Sequence, residues 1–317
     1  MIDNLVSTII PVYNRSAMLR EAVASVLLQT WRPIEIIIVD DGSSDDTVHV
    51  AQDLQSQHPE ITRVLRQKNA GPGAARQAGL EVAQGEFIQF LDSDDLLLPH
   101  KFESQIKGLR SDTDADISYG KTYTEENGMR LSEPAQHTGE KHRKLFPVLL
   151  QEPLWPTLAP LYRHAFLLKA GPWPGKKNLE DWEFDAQAGA LDVSLHYVDD
   201  FIAETRNHSG ERLCHLWKVS ADVMRDRISA YIAVLAHARK AGVPGHSDEM
   251  QRFSRSLFWM ARNAGRYGLG REANRLFELA RSLAINPGWD YRIFGTATKL
   301  LGWKLSSRLA DSILRQS

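Results

Sequence analysis

Cysteine is almost absent from this chain, and that absence removes whole classes of protein at once. The single Cys214 can close no intrachain disulfide framework and cannot build a thiolate zinc cluster. Long apolar runs are missing as well, since no stretch approaches the ~18 apolar residues needed to span a bilayer. The start, Met1-Ile2-Asp3-Asn4, puts no basic segment ahead of its short apolar run. It reads as a β-strand and not as a signal peptide, which makes the cytoplasm the expected location. Two familiar phosphate loops are also lacking. No Gly-Lys-Ser/Thr closes a glycine loop and no G-x-G-x-x-G stands behind a strand, so NTPase and NAD-dependent chemistry are unsupported.

A net excess of either charge sign is nearly lacking overall, but the charges are unevenly spread. The net value is −2, yet residues 201–317 carry 19 Lys and Arg against 10 Asp and Glu, while residues 1–200 carry 19 against 30. An acidic front excludes a nucleic-acid partner, which would need a basic face, and suits a metal. The basic rear suits an anionic surface, a lipid or an acidic partner, or else merely solvates helix faces.

What is present is an alternation of strand and helix patterns. Leu5–Ile10 is an apolar run. Leu19, Ala22, Val23, Val26 and Leu27 recur at helical spacing behind Ser16, a candidate N-cap. Ile34–Val39 is nearly all β-branched, as in a strand buried on both faces. Ile61–Arg66 is a further strand, Pro72–Ala83 a helix, and Glu86–Leu91 a strand. This predicts an α/β domain with a mostly parallel, Rossmann-like sheet, whose ligands sit beyond the strands' carboxyl ends. Later, Asp116–Gly120, Val193–Val198 and Phe201–Thr205 read as short strands, and the Trp- and Pro-rich Gln151–Gly175 as an irregular pocket wall. Val219–Arg239, Glu249–Arg266 and Arg271–Leu283 read as helices, the last two resembling one tetratricopeptide-type hairpin. The expected division is a catalytic domain over 1–210, split into halves 1–112 and 113–210, and an all-α extension over 211–317.

Two predicted strand ends carry acidic clusters, Asp40-Asp41 and Asp92-Ser93-Asp94-Asp95. Continuing the strand's alternation would put Asp92 and Asp94 on one side, as two hard oxygen ligands for Mg²⁺ or Mn²⁺. A solvated acidic turn is the plainer alternative. Tyr13, at a third strand end, could stack on a base, and Asp41 could accept from a base or ribose. Asn69-Ala70-Gly71-Pro72-Gly73 opens a helix in the way an anionic ligand requires, with Arg76 one turn in. Trp155 and Trp173 could face a sugar ring or fill a core.

In order, Pro11-Val12-Tyr13-Asn14, Gln29-Thr30, Val39-Asp40-Asp41-Gly42-Ser43-Ser44-Asp45-Asp46-Thr47, Asn69-Ala70-Gly71, Ala74-Ala75-Arg76 and Gly85 to Asp95 resemble the family 2 glycosyltransferases, which have the GT-A fold. The resemblance is dense over residues 4–105 and thinner to about 210. It implies that Pro11, Tyr13, Asp41 and Arg76, with Ser93, hold the nucleotide, and that Asp92 and Asp94 hold its diphosphate through Mn²⁺ or Mg²⁺. It makes Asp181 the catalytic base of an inverting transfer, with Glu180 orienting it or meeting the acceptor. It also matches Thr205-Arg206-Asn207-His208 to a loose Arg-x-His element, making His208 a contact of diphosphate or metal. Gln-x-x-Arg-Trp is missing, which argues against a processive polysaccharide synthase.

The implied reaction moves a sugar from a nucleotide-sugar, a UDP-sugar being favoured, to a glycan or lipid-linked acceptor in bacterial cell-surface polysaccharide assembly. A sugar-phosphate nucleotidyltransferase would have a related sheet but would need glycine after the first strand, where Pro11 to Arg15 has none. An inactive nucleotide-sugar-binding scaffold would have little use for Asp92, Asp94 and Asp181. At the C-terminus, Leu300, Leu301, Trp303, Leu305, Leu309 and Leu314 with Lys299, Lys304, Arg308 and Arg315 could form a basic amphipathic helix on a membrane's inner face, or pack on the main domain or a second copy.

Overall fold

A computed structural model of the chain describes residues 1–207 and 220–314, with side chains as far as Leu309. Two compact units emerge, Met1–Leu145 with Pro153–Gly210, and Phe146–Glu152 with Glu211–Ser317.

The first unit is built on one mixed sheet. Strands β1 (Ile2–Val12), β2 (Ile34–Asp40), β3 (Thr62–Arg66) and β4 (Gly85–Phe90) run parallel in the order β3-β2-β1-β4. Ile36 to Val39 are fully buried, which is why this strand reads as a continuous apolar run and not as an alternation. Helices α1 (Ser16–Leu27), α2 (Thr47–Gln57) and α3 (Pro72–Val82) connect these strands. Leu19, Ala22, Val23 and Val26 of α1 join Val6, Ile10, Ile36 and Ile38 in the core. Beyond β4 follow β5 (Leu96–Leu97), α4 (Lys101–Ser111), β6 (Ile117–Glu126), β7 (Met129–Arg130), β8 (Leu161–Arg163), α5 (His164–Ala170), α6 (Glu180–Gly189) and β9 (Leu195–Asn207). The sheet continues β4-β8-β6-β9-β5, with β7 on β6. β8 is antiparallel to both β4 and β6, and β9 is parallel to β6.

Four sequence expectations need revision. Ser16 is the first residue of α1 and not its cap, Arg15 holding the cap position without a side-chain bond. β9 is one strand, not two, because a register slip against Gly120–Thr122 lets it pass Asp199 and Asp200 while both stay exposed. β4 stops at Phe90, so Asp92 and Asp94 lie on a turn and not on a strand. The Asp95 N–H closes that turn on the Asp92 carbonyl at 3.1 Å. Finally, residues 151–175 are not wholly irregular, since they contain β8 and α5.

The second unit is helical. It contains α7 (Ala221–Lys240), α8 (Asp248–Arg266), α9 (Gly270–Leu283) and α10 (Trp289–Leu314). Ser220 and Ser247 cap α7 and α8 by accepting from the Val223 and Met250 amides. Among the described residues, no helix is long and apolar enough to cross a membrane.

Candidate active site

The carboxyl ends of β1, β2 and β4 lie side by side because these strands are parallel neighbours. At the end of β1, Pro11 is buried opposite Val39, and Tyr13 is 47% exposed. Asn14, at φ 50°, ties the first two strand ends together. Its Oδ1 accepts from the Ser44 N–H at 2.8 Å, and its own N–H donates to Ser43 Oγ at 2.9 Å.

Asp41 fixes the glycine-rich entry of α3. Its Oδ1 accepts from Gln67 Nε2 and the Ala70 N–H, both at 2.8 Å, and its Oδ2 accepts from the Gly71 N–H at 2.9 Å. A carboxylate offers about four acceptor sites, so these three bonds leave one for a ligand hydroxyl or amine. Gly71 sits at φ 94°, a region closed to most side chains. Gly73 faces the chain before α6 so closely that a Cβ there would collide with the Pro174 carbonyl oxygen.

That close approach brings Arg76 against the start of α6. The guanidinium is buried and doubly engaged. Nη2 donates to Asp92 Oδ1 at 2.7 Å and Nη1 to Glu180 Oε1 at 2.8 Å. It also lies 4.8 Å from the centre of the Trp173 ring, which stacks on Phe184 at 4.0 Å. Burial alone would lower the Arg76 pKa, but Asp92 and Glu180 outweigh it and hold it above its ordinary value.

On the turn after β4, Ser93, Asp94 and Asp95 are buried. The Asp94 carboxylate pairs with Arg15. Arg206 closes the turn from β9, its Nε donating to the Asp94 carbonyl at 2.5 Å and its N–H to Asp95 Oδ1 at 3.0 Å. Burial, then the neighbouring Asp94 and Asp92 charges, push the Asp95 carboxyl well above the usual range. His208 lies outside the described residues.

Glu180 and Asp181 open α6, where the exposed amides of a first turn favour acidic side chains. Burial, and then the Asp181 charge, push the Glu180 carboxyl up to about 7 despite Arg76. Asp181 is only partly buried and accepts from the Trp182 N–H at 2.8 Å. Its pKa is also raised by burial, against the pull of Arg76. One turn further on, Asp185 is buried and bonded to the Trp155 side chain, and burial followed by the Asp181 charge keeps it well above the usual range. Trp155 and Trp173 are therefore core residues, not an open sugar platform.

Asp92, Arg76, Glu180 and Asp181 thus form one cluster, with Arg15, Asp94 and Arg206 along its edge. The sequence reading missed Arg15 and Asp185, and gave Arg76 no link to Glu180. Arg15 follows Pro11-Val12-Tyr13-Asn14 directly, and that position is the one signal it offered. Among the described residues, no three His, Cys, Asp or Glu side chains come together as a metal cluster. Asp92 and Asp94 nevertheless supply two hard oxygen donors on one turn. A pair of this kind could hold a divalent cation that completes its shell with water and substrate phosphate, and here each carboxylate is also paired with an arginine, Asp92 with Arg76 and Asp94 with Arg15.

Fold and site together define an α/β domain with carboxylates gathered at the carboxyl ends of its parallel strands. Residues 7–169 match glycosyl transferase family 2, and the chain belongs to that family. It is 38% identical over 115 residues to the uncharacterized glycosyltransferase YibD of Escherichia coli, covering 36% of this chain and 33% of YibD. It is also 38% identical over 122 residues to the glycosyltransferase GlyG of Streptococcus pneumoniae, covering 38% of this chain and 40% of GlyG. The chain therefore spans well under half the length of these two relatives. In fold it resembles S. aureus TarS 1–349 in complex with UDP-GlcNAc, at a TM-score of 0.64 and 19% identity over 94% of this chain and 92% of that one. It also resembles the mannosyltransferase PcManGT of Pyrobaculum calidifontis in complex with GDP-Man and Mn²⁺, at 0.55 and 14% over 96% and 86%.

Proposed function

We propose that this protein is an inverting glycosyltransferase that moves a sugar from a nucleoside-diphosphate donor to a hydroxyl of a glycan or lipid-linked acceptor. A UDP-sugar is the favoured donor, and bacterial cell-surface polysaccharide assembly in the cytoplasm, at the inner face of the membrane, is the setting. The observation that carries the reading is the Arg76 bridge, which ties Asp92 of the donor motif to Glu180, next to Asp181. Donor and acceptor chemistry need to meet within a few ångströms, and this bridge joins the two motifs that would perform them.

In this reading the exposed Tyr13 ring stacks on the base, while Pro11, Asp41 and Ser93 shape the nucleotide's seat. Asp92 and Asp94 hold Mn²⁺ or Mg²⁺, with His208 a candidate further ligand. When bound, the cation neutralises charge on the departing diphosphate. Asp181 takes the proton from the acceptor hydroxyl as that oxygen attacks the anomeric carbon, opposite the leaving group. Glu180, held by Arg76, positions Asp181. Arg76 in turn holds Asp92 toward the diphosphate.

The UDP-GlcNAc of the TarS structure and the GDP-Man and Mn²⁺ of the PcManGT structure support a nucleotide-sugar and a divalent cation. A thermal-shift panel of UDP-, GDP-, CMP- and dTDP-sugars, each with and without Mn²⁺, tests the reading. One donor class should raise the melting temperature, and only with Mn²⁺. A panel with no shift in any combination would contradict it.

A further inference from the structure

Helix α10 is apolar on two opposite faces. Its first stretch, up to Leu301, buries Tyr291 and Phe294, whose rings pack on Phe258 of α8 and Phe277 of α9. At 3.6 residues per turn, Trp289, Ile293, Thr296 and Leu300 fall on the other side. There Trp289 is 77%, Ile293 56% and Leu300 78% exposed. Gly302, at φ 75° and ψ 163°, then breaks the helix. After the break Ser306 and Ser307 are buried while Leu305 is exposed, an inversion of the usual arrangement. Trp303, grouped with the outward leucines on sequence alone, instead turns onto Phe277 and Phe294. A row of large exposed apolar side chains, interrupted by Thr296, marks a surface that meets something.

The charges beside the stripe say what it meets. From Tyr291 to Ala310 there is no Asp or Glu, while Arg292, Lys299, Lys304 and Arg308 are all present and all exposed. None of the four is in an ion pair with a described residue. In the first stretch Arg292 and Lys299 fall on the same flank of the apolar side. The basic flank formed by Arg292 and Lys299, with Asp290 on the other flank paired to Arg255, complements anionic headgroups lying over an acyl boundary. The helix cannot span that layer.

We propose that α10 docks flat on an anionic phospholipid surface, with Trp289, Ile293 and Leu300 entering the boundary region and the four basic side chains on the headgroups. Vesicle flotation of the full chain tests this. The protein should float with equimolar phosphatidylcholine–phosphatidylglycerol vesicles and not with phosphatidylcholine alone. Raising the salt to about 0.5 M should cut binding at least about fivefold. Ile293→Asp with Leu300→Asp should lower binding at least about tenfold, with an unchanged thermal melt because both sites are exposed. Lys299→Glu with Lys304→Glu should remove the preference for anionic vesicles. No binding by the wild type, or equal binding by the wild type and Ile293→Asp/Leu300→Asp, would overturn the proposal. So would a sedimenting dimer that Ile293→Asp/Leu300→Asp dissolves, since the stripe would then be covered by a second copy.

Discussion

Glu180 and Asp181 are adjacent carboxylates placed in different surroundings. Glu180 is buried against Arg76, whereas Asp181 is only partly covered and bonded through one oxygen to the Trp182 amide. The proposed division of labour follows, with Glu180 fixed and Asp181 able to meet an acceptor. Asp181→Asn should lower turnover by about 10²–10⁴ while leaving donor affinity unchanged, as steady-state rates and calorimetry on the same preparation would show. For Glu180 the consequence is a pH-dependent stability. Its carboxyl binds a proton more tightly when folded, at about 7 against 4.5. The term therefore favours the native state below about pH 4.5 and is lost as pH rises through about 7. Glu180→Gln cannot ionise, so the variant's melting temperature relative to wild type should climb between about pH 5 and about pH 8. A difference that stays flat would mean Glu180 is ionised throughout. The acidic members of this site stood out in the sequence because they sit at strand ends, Asp41 and Asp92 to Asp95, or in a first helical turn, Glu180-Asp181. Arg76 was marked by the glycine-rich entry of its helix, but the pairings of these acids with Arg15 and Arg76 were not. Arg15 meets Asp94, and Arg76 meets Glu180, only through sheet order and the close pass of α3, and neither pairing leaves a local pattern.

Between elements, the controlling contact is the one between the entry of α3 and the chain leading to α6. The Pro174 carbonyl leaves room at Gly73 for a hydrogen atom but not for a methyl group. Gly73→Ala should therefore cost about 1–3 kcal/mol in urea unfolding and loosen the Arg76–Glu180 bond. A variant as stable as wild type would show that the segment moves aside freely. The strands of the parallel half were legible because fully buried β-branched runs have few alternatives. The slip in β9 was not, since it depends on how β6 receives Asp199 and Asp200. Nor was the turn carrying Asp92 and Asp94, because the alternation that would continue the strand ignores where pairing with β1 ends. In α10 the periodic leucines were visible, but a glycine break resets the phase, and only the packed rings show which side faces inward.

Across the whole chain, composition and structure divide along related lines. The acidic excess falls in residues 1–200, where the strand-end carboxylates collect, and the basic excess in residues 201–317, most of whose described part is helical. The segment Phe146–Glu152 belongs to the helical unit although the chain on both sides of it belongs to the sheet unit. Too short to show periodicity, it gave no sequence signal of that exchange. The central claim is that Asp92 and Asp94 form the metal-assisted donor site and that Asp181 serves only the acceptor step. Calorimetric titration of a matching nucleotide-sugar in Mn²⁺, into wild type, Asp94→Ala and Asp181→Asn, tests it most directly. Donor binding should fall at least about tenfold in Asp94→Ala and stay at the wild-type value in Asp181→Asn. Undiminished binding by Asp94→Ala, or its loss in Asp181→Asn alone, would contradict the account.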